Sequence, residues 1–147
     1  MNLEKVDFGA EVSRILPLIL REVTKKQMTV LSKGRLTLPQ VVILDILRQT
    51  DSATMSDLAH ALHLTMSAVT AIVDKMIKMG FTKRQRSTED RRVVHVTLLK
   101  KGHETASLVN EERRITAEDI FSVLTEAEKT EYVRLLRKVY DGLKGRK

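Results

Sequence analysis

The sequence predicts a mainly α-helical chain of the α+β class, with long helices at both ends and one small β-hairpin between them. Three observations carry this. Apolar residues recur at helical spacing near both termini. Between them lie three short helical stretches whose starts carry side chains suited to capping. Two β-rich runs follow, separated by an arginine-rich connection.

Val12, Ile15, Leu16, Ile19, Leu20 and Val23 mark a first helix over roughly 5–31. Pro17 inside it predicts a kink or a split into two shorter helices, because proline removes a backbone bond and crowds the preceding turn. Ser32-Lys33-Gly34 is expected to break the run. In "LTLPQVVILDILRQ", 36–49, Thr37 and Gln40 form a capping box, and Pro39 sits in the first turn, where it is tolerated. Thr54 with Asp57 opens a short helix over 56–62. Thr65 caps a third over 66–79, which Gly80 ends. "FTKRQ" and "RVVHVTL" read as strands joined by Arg86 to Arg91. A helical stretch follows over 99–121, and a last helix starts from Thr125. A helix-turn-helix followed by a β-hairpin is a winged helix, here between long flanking helices.

Composition narrows the function. At 147 residues the chain is about one domain, and its five aromatics imply an aliphatic core. No run of about 18 apolar residues exists, so no membrane span is expected. The N-terminus reads as mature sequence rather than a signal peptide. The absence of cysteine excludes a disulfide framework, a thiol redox switch and a Cys-ligated zinc. Together these point to the cytoplasm. The net charge is +7, unevenly spread: residues 55–102 hold nine Lys/Arg against four Asp/Glu, whereas 103–147 hold nine against nine. A basic segment between near-neutral ones is the footprint of a polyanion binder.

The third short helix has a buried face of Val69, Ile72, Val73 and Met76. Opposite lie Ser67, Ala71, Asp74 and Lys78, flanked by Thr70 and Lys75. A helix entering the major groove needs small polar side chains near its start, since bulk would hold its backbone off the base edges. Ser67, Thr70 and Ala71 are therefore the candidate groove-facing positions, with Lys75 and Lys78 on phosphates. The hairpin adds Lys83, Arg84, Arg86, Arg91 and Arg92.

Three stretches in series also carry a resemblance. "LTLPQVVILDIL", "MSDLAHALHLTMSAVTAIVDKMIKMGF" and "EDRRVVHVTLLKKG" resemble the MarR family of bacterial winged helix-turn-helix transcription regulators, closely over 36–102 and in helix length and order beyond. The last stretch holds the family's D-x-R wing pattern at Asp90 and Arg92. One departure is Leu98-Leu99 where the family has Leu-Thr. The cap of the following helix is missing, and Thr97 is expected to cap one turn early. A lost cap costs about 1 kcal/mol.

The resemblance implies a repressor that binds a pseudo-palindromic double-stranded DNA operator as a homodimer. Residues 36–102 would bind DNA, while 1–35 and 103–147 would form the dimerisation region. A small aromatic or anionic effector that releases DNA is implied by resemblance alone. Independently of family, the stripes of Val12, Ile15, Ile19, Val133, Leu136 and Tyr140 have no third layer to cover them, which points to a partner chain. At the wing tip, Arg92 is expected in the minor groove, whose narrow A·T-rich stretches attract arginine. Arg91 and Arg86 would lie against phosphates, and Asp90 would orient the Arg92 guanidinium by a charge-assisted hydrogen bond.

Other readings fare less well. His60, His63, His95 and His103 lack cysteine or well-spaced carboxylate partners, so neither metal nor cofactor is expected. There is no nucleophile elbow and no Gly-rich phosphate loop, so no enzyme is expected. The main alternative is a winged helix used only for protein contact. It would put apolar residues at the wing tip, where this chain has arginines. RNA binding would call for exposed aromatics that the chain lacks.

Overall fold

The computed structural model describes residues 7–34 and 36–145. The described elements are α1 (Phe8–Gly34), α2 (Leu38–Thr50), β1 (Ser52–Thr54), α3 (Met55–Leu62), α4 (Met66–Lys78), β2 (Thr82–Arg86), β3 (Val94–Leu98), α5 (Lys100–Ile120) and α6 (Glu126–Lys144). The strands form one antiparallel sheet in the order β1-β3-β2. Ser52 pairs with Thr97 and Thr54 with His95 on one side of β3. Thr82 pairs with Leu98 and Arg86 with Val94 on the other. The strand β1 is an addition to the sequence reading: three residues are too short to show alternation, and pairing with β3 defines them.

Local signals set most boundaries. The Gln40 amide oxygen accepts the Thr37 N–H at 2.9 Å, and its nitrogen reaches the Met79 sulfur at 3.9 Å, so this buried amide joins the start of α2 to the end of α4. Thr54 N–H donates to Asp57 Oδ2 at 3.0 Å, and Asp57 N–H donates back to Thr54 Oγ1 at 3.1 Å. The Thr54 hydroxyl, then its backbone N–H, hold the Asp57 carboxyl below its ordinary pKa. The Thr125 hydroxyl and Glu128 cap α6 reciprocally in the same way, whereas at α4 the Thr65 hydroxyl accepts the Ala68 N–H with no return bond. Gly80, at φ +78°, takes the left-handed conformation that turns α4 into β2.

Two expectations are corrected. α1 is neither split at Pro17 nor ended at Ser32; it runs unbroken to Gly34. Ser13, whose carbonyl loses its partner to Pro17, is exposed and open to water, so one missing bond does not end a 27-residue helix. The expected helix start at residue 5 lies outside the described residues. Thr97 does not cap α5. It is strand backbone between Ser52 and Lys83, and Leu99, at the N-cap position of α5, supplies no side-chain cap.

The core is aliphatic. It joins Val41, Ile43, Leu44 and Leu47 of α2, Leu58 of α3, Val69, Val73 and Met76 of α4, Phe81, Val96 and Leu98 of the hairpin, and Ala106 and Val109 of α5. Among the described residues, neither α1 nor α6 contributes to it. α1 is linked to α5 by Lys26–Asp119, and α2 to α5 by Arg113–Asp45. α6 rests on the end of α5 through the Phe121 and Tyr132 rings, 5.1 Å apart, and Lys129–Glu118 at 3.4 Å. Val12, Ile15, Val133, Leu136 and Tyr140 are consequently exposed, Tyr140 by 56% and Leu136 by 50%, and Ile19 is half-buried. Among the described residues, no helix is long and apolar enough to cross a membrane.

Candidate nucleic-acid interface

α4 is seated by Val69, Val73 and Met76, all fully buried. That anchoring leaves Ser67, Ala71, Lys75 and Lys78 exposed along the other side. Ser67 Oγ lies 3.2 Å from the capping Thr65 hydroxyl. Thr70 is less available than its spacing suggests. It is half-buried, and its hydroxyl donates to the Met66 carbonyl at 2.8 Å, leaving only lone pairs for a partner. Among the described residues, Lys75 and Lys78 form no ion pair. Met66, 48% exposed in the first turn, was not anticipated; its thioether side chain suits apolar contact with a thymine methyl.

The register of the hairpin sorts its cations. Lys83 lies opposite Thr97 and Gln85 opposite His95, on one face of the sheet. Arg84 lies opposite buried Val96 and Arg86 opposite Val94, on the other. Arg84 is not free: its guanidinium meets the Asp74 carboxylate of α4 at 2.5 Å. Lys83, Arg86, Arg91 and Arg92 form no ion pair among the described residues, and all four are exposed.

The tip is a folded turn. Ser87 N–H donates to the Val93 carbonyl at 2.9 Å, and Val93 N–H to the Asp90 carbonyl at 3.0 Å. Ser87 Oγ accepts from the Glu89 and Asp90 N–H groups at 3.2 and 3.3 Å. Asp90 Oδ1 accepts the backbone N–H of Arg92 at 2.9 Å. This corrects the expected side-chain pair. Asp90 holds the backbone from which Arg92 projects and leaves the guanidinium unpaired, because an aspartate bonds most readily to the N–H two residues on. A test follows from the difference. Asp90→Asn, which keeps the acceptor, should retain DNA affinity, whereas Asp90→Ala should lose about 1 kcal/mol of it. Equal losses in both, measured by fluorescence anisotropy, would return the role to the carboxylate charge.

All side chains of the connection 86–93 except Val93 are polar, so the tip has no apolar knob for a protein partner. His60 and His63 have ring centroids 6.4 Å apart. Among the described residues, no three His, Asp or Glu side chains gather to hold an ion.

A small-faced helix beside a basic hairpin, both on one aliphatic core, defines a winged helix-turn-helix. Comparison with known proteins narrows this. Residues 36–94 match the model of the MarR family. The chain is 31% identical to the HTH-type transcriptional regulator PecS of Dickeya dadantii over 142 residues, covering 95% of this chain and 83% of that one. It is 26% identical to YsmB of Bacillus subtilis, an uncharacterized HTH-type transcriptional regulator, over 98% of this chain and 99% of that one. The structure of a MarR family protein from Bacillus stearothermophilus superposes with a TM-score of 0.84 at 28% identity, over 98% and 99% of the two chains. The chain belongs to the MarR family, and it is a transcription regulator rather than an enzyme.

Proposed function

We propose that this regulator is a cytoplasmic repressor that binds a pseudo-palindromic double-stranded DNA site as a homodimer. The observation that carries the reading is the small exposed face of α4 (Ser67, Ala71) beside the unpaired arginines of the wing tip. One reaches base edges in the major groove, and the others suit the adjacent minor groove and phosphates. Residues 36–102 do the reading, while 1–35 and 103–147 pair the two chains. In support, α1 and α6 leave Val12, Ile15, Val133, Leu136 and Tyr140 exposed, an apolar surface that a monomer rarely presents. A two-fold dimer requires a two-fold site, and a dimer seated on a promoter occludes it, hence repression. Release by a small aromatic or anionic effector rests on the family resemblance.

Light scattering at micromolar concentration should return about twice the chain mass of 16.7 kDa. Titration of a bound duplex should end at two chains per duplex. A clean monomer in both would overturn the dimer and, with it, the palindrome.

A further inference from the structure

Resting on the DNA-binding reading above, we propose that Arg84 is a positioning residue: through Asp74 it locks the wing at a fixed angle to the recognition helix. The wing leaves α4 through one joint. There Gly80 N–H donates to the Ile77 carbonyl at 2.9 Å, and Phe81 N–H to the Met76 carbonyl at 3.0 Å. Beyond Thr82, the Arg84–Asp74 pair is the one polar link between the hairpin and α4 among the described residues.

Geometry gives the link leverage. Arg84 shares a sheet face with Val96, whose burial turns that face inward, and so reaches α4; Lys83 and Gln85 belong to the opposite face. At about 3.3 Å per residue, the wing tip lies roughly 20 Å from the joint. A swing of about 10° would move Arg92 by roughly 3.5 Å, more than the length of a hydrogen bond. β3 is held by its ladder to β1 and by buried Val96 and Leu98, and the Arg84–Asp74 pair adds the side-chain tie that fixes the outer strand β2 to α4. The pair also removes a repulsion, since Asp74 lies on the DNA-facing side of α4 and its charge is opposed by Arg84. For the same reason Arg84 contributes little net charge to phosphates.

The test has two arms. In DNA-free protein, hydrogen exchange of the wing amides 84–94 should speed up several-fold in both Arg84→Ala and Asp74→Asn, with the α2 amides unchanged. The reversed pair, Asp74→Arg with Arg84→Asp, should restore protection. In the second arm, the probe is a duplex enriched from a random-sequence library by the wild-type protein. Arg84→Ala should weaken its binding about fivefold, the upper end for a half-exposed pair, but less than twofold in the Asp74→Asn background. Its salt dependence should stay within half a charge of wild type. Equal losses in both backgrounds, with the salt slope reduced by about one charge, would make Arg84 a phosphate contact and overturn the proposal. Unchanged wing exchange in both single variants would overturn it as well. If no duplex is enriched at all, the DNA-binding reading fails, and the exchange arm still decides whether the lock exists.

Discussion

Gly102→Ala should be among the most destabilising single-methyl changes in this chain. Gly102 is the third residue of α5 and is buried. A Cβ there would lie 2.1 Å from the Phe81 carbonyl oxygen, 3.0 Å from its carbonyl carbon and 3.1 Å from Leu98 Cδ2. The first two are backbone atoms, and that carbonyl already accepts the Leu99 N–H at 2.8 Å. No side chain can swing aside to make room, so α5 must lift from the base of the hairpin and strain that bond. Alanine would ordinarily gain up to about 1 kcal/mol over glycine inside a helix. Overpacking a site typically costs about 1–3 kcal/mol, and a backbone collision belongs at the upper end or beyond, so the clash outweighs the propensity. The expected result is a midpoint lowered by roughly 5–10 °C in thermal circular dichroism. A midpoint equal to or above wild type would show that the helix relaxes freely at Gly102.

Ala71→Trp should do the opposite: leave the fold intact and abolish specific binding. Ala71 is exposed and lies across the helix from Val69, Val73 and Met76, so the change should stay within about 0.5 kcal/mol in stability. In the groove, an indole at this position would hold the α4 backbone away from base edges. Contacts from Ser67, Ala71 and their neighbours would then be lost together, leaving the salt-dependent attraction to phosphates. Specific binding exceeds non-specific by about 4–10 kcal/mol, so a loss of at least about a hundredfold is expected in a gel-shift titration. Affinity within threefold of wild type, with unchanged circular dichroism, would mean that this face does not enter the groove.

What the sequence made legible were features whose signal is local. Thr54 and Asp57 cap each other three residues apart, and Val69, Val73 and Met76 recur at one helical period; both patterns survive folding because their partners are neighbours in the chain. What it hid depends on distant pairing. β1 has no pattern of its own and exists because β3 offers an edge. Arg84 read as one of several DNA-facing cations, since the sequence displays its charge but not the sheet register that brings it to Asp74, ten residues earlier. In the sequence Lys101 is only one of the nine cations of residues 55–102. In the fold its Nζ donates to the Met79 carbonyl at 2.8 Å and sits 5.0 Å from the centre of the Phe81 ring, closing the C-terminus of α4 from another helix. Asp90 lies in the tip of the wing, and its bond goes to the backbone of Arg92 rather than to the guanidinium. Charge in the sequence marks the cations of the wing, and only the coordinates tell which of them are already occupied.

In the proposed function, the α4 face and the wing tip read a two-fold DNA sequence. This is tested most directly by incubating the purified full-length protein with sheared genomic DNA of its host and sequencing the retained fragments. The expected result is an enriched inverted repeat whose half-sites are centred about 10 base pairs apart, one helical turn, and loss of that enrichment in Ala71→Trp. Retention without any shared motif, equal for wild type and Ala71→Trp, would contradict it.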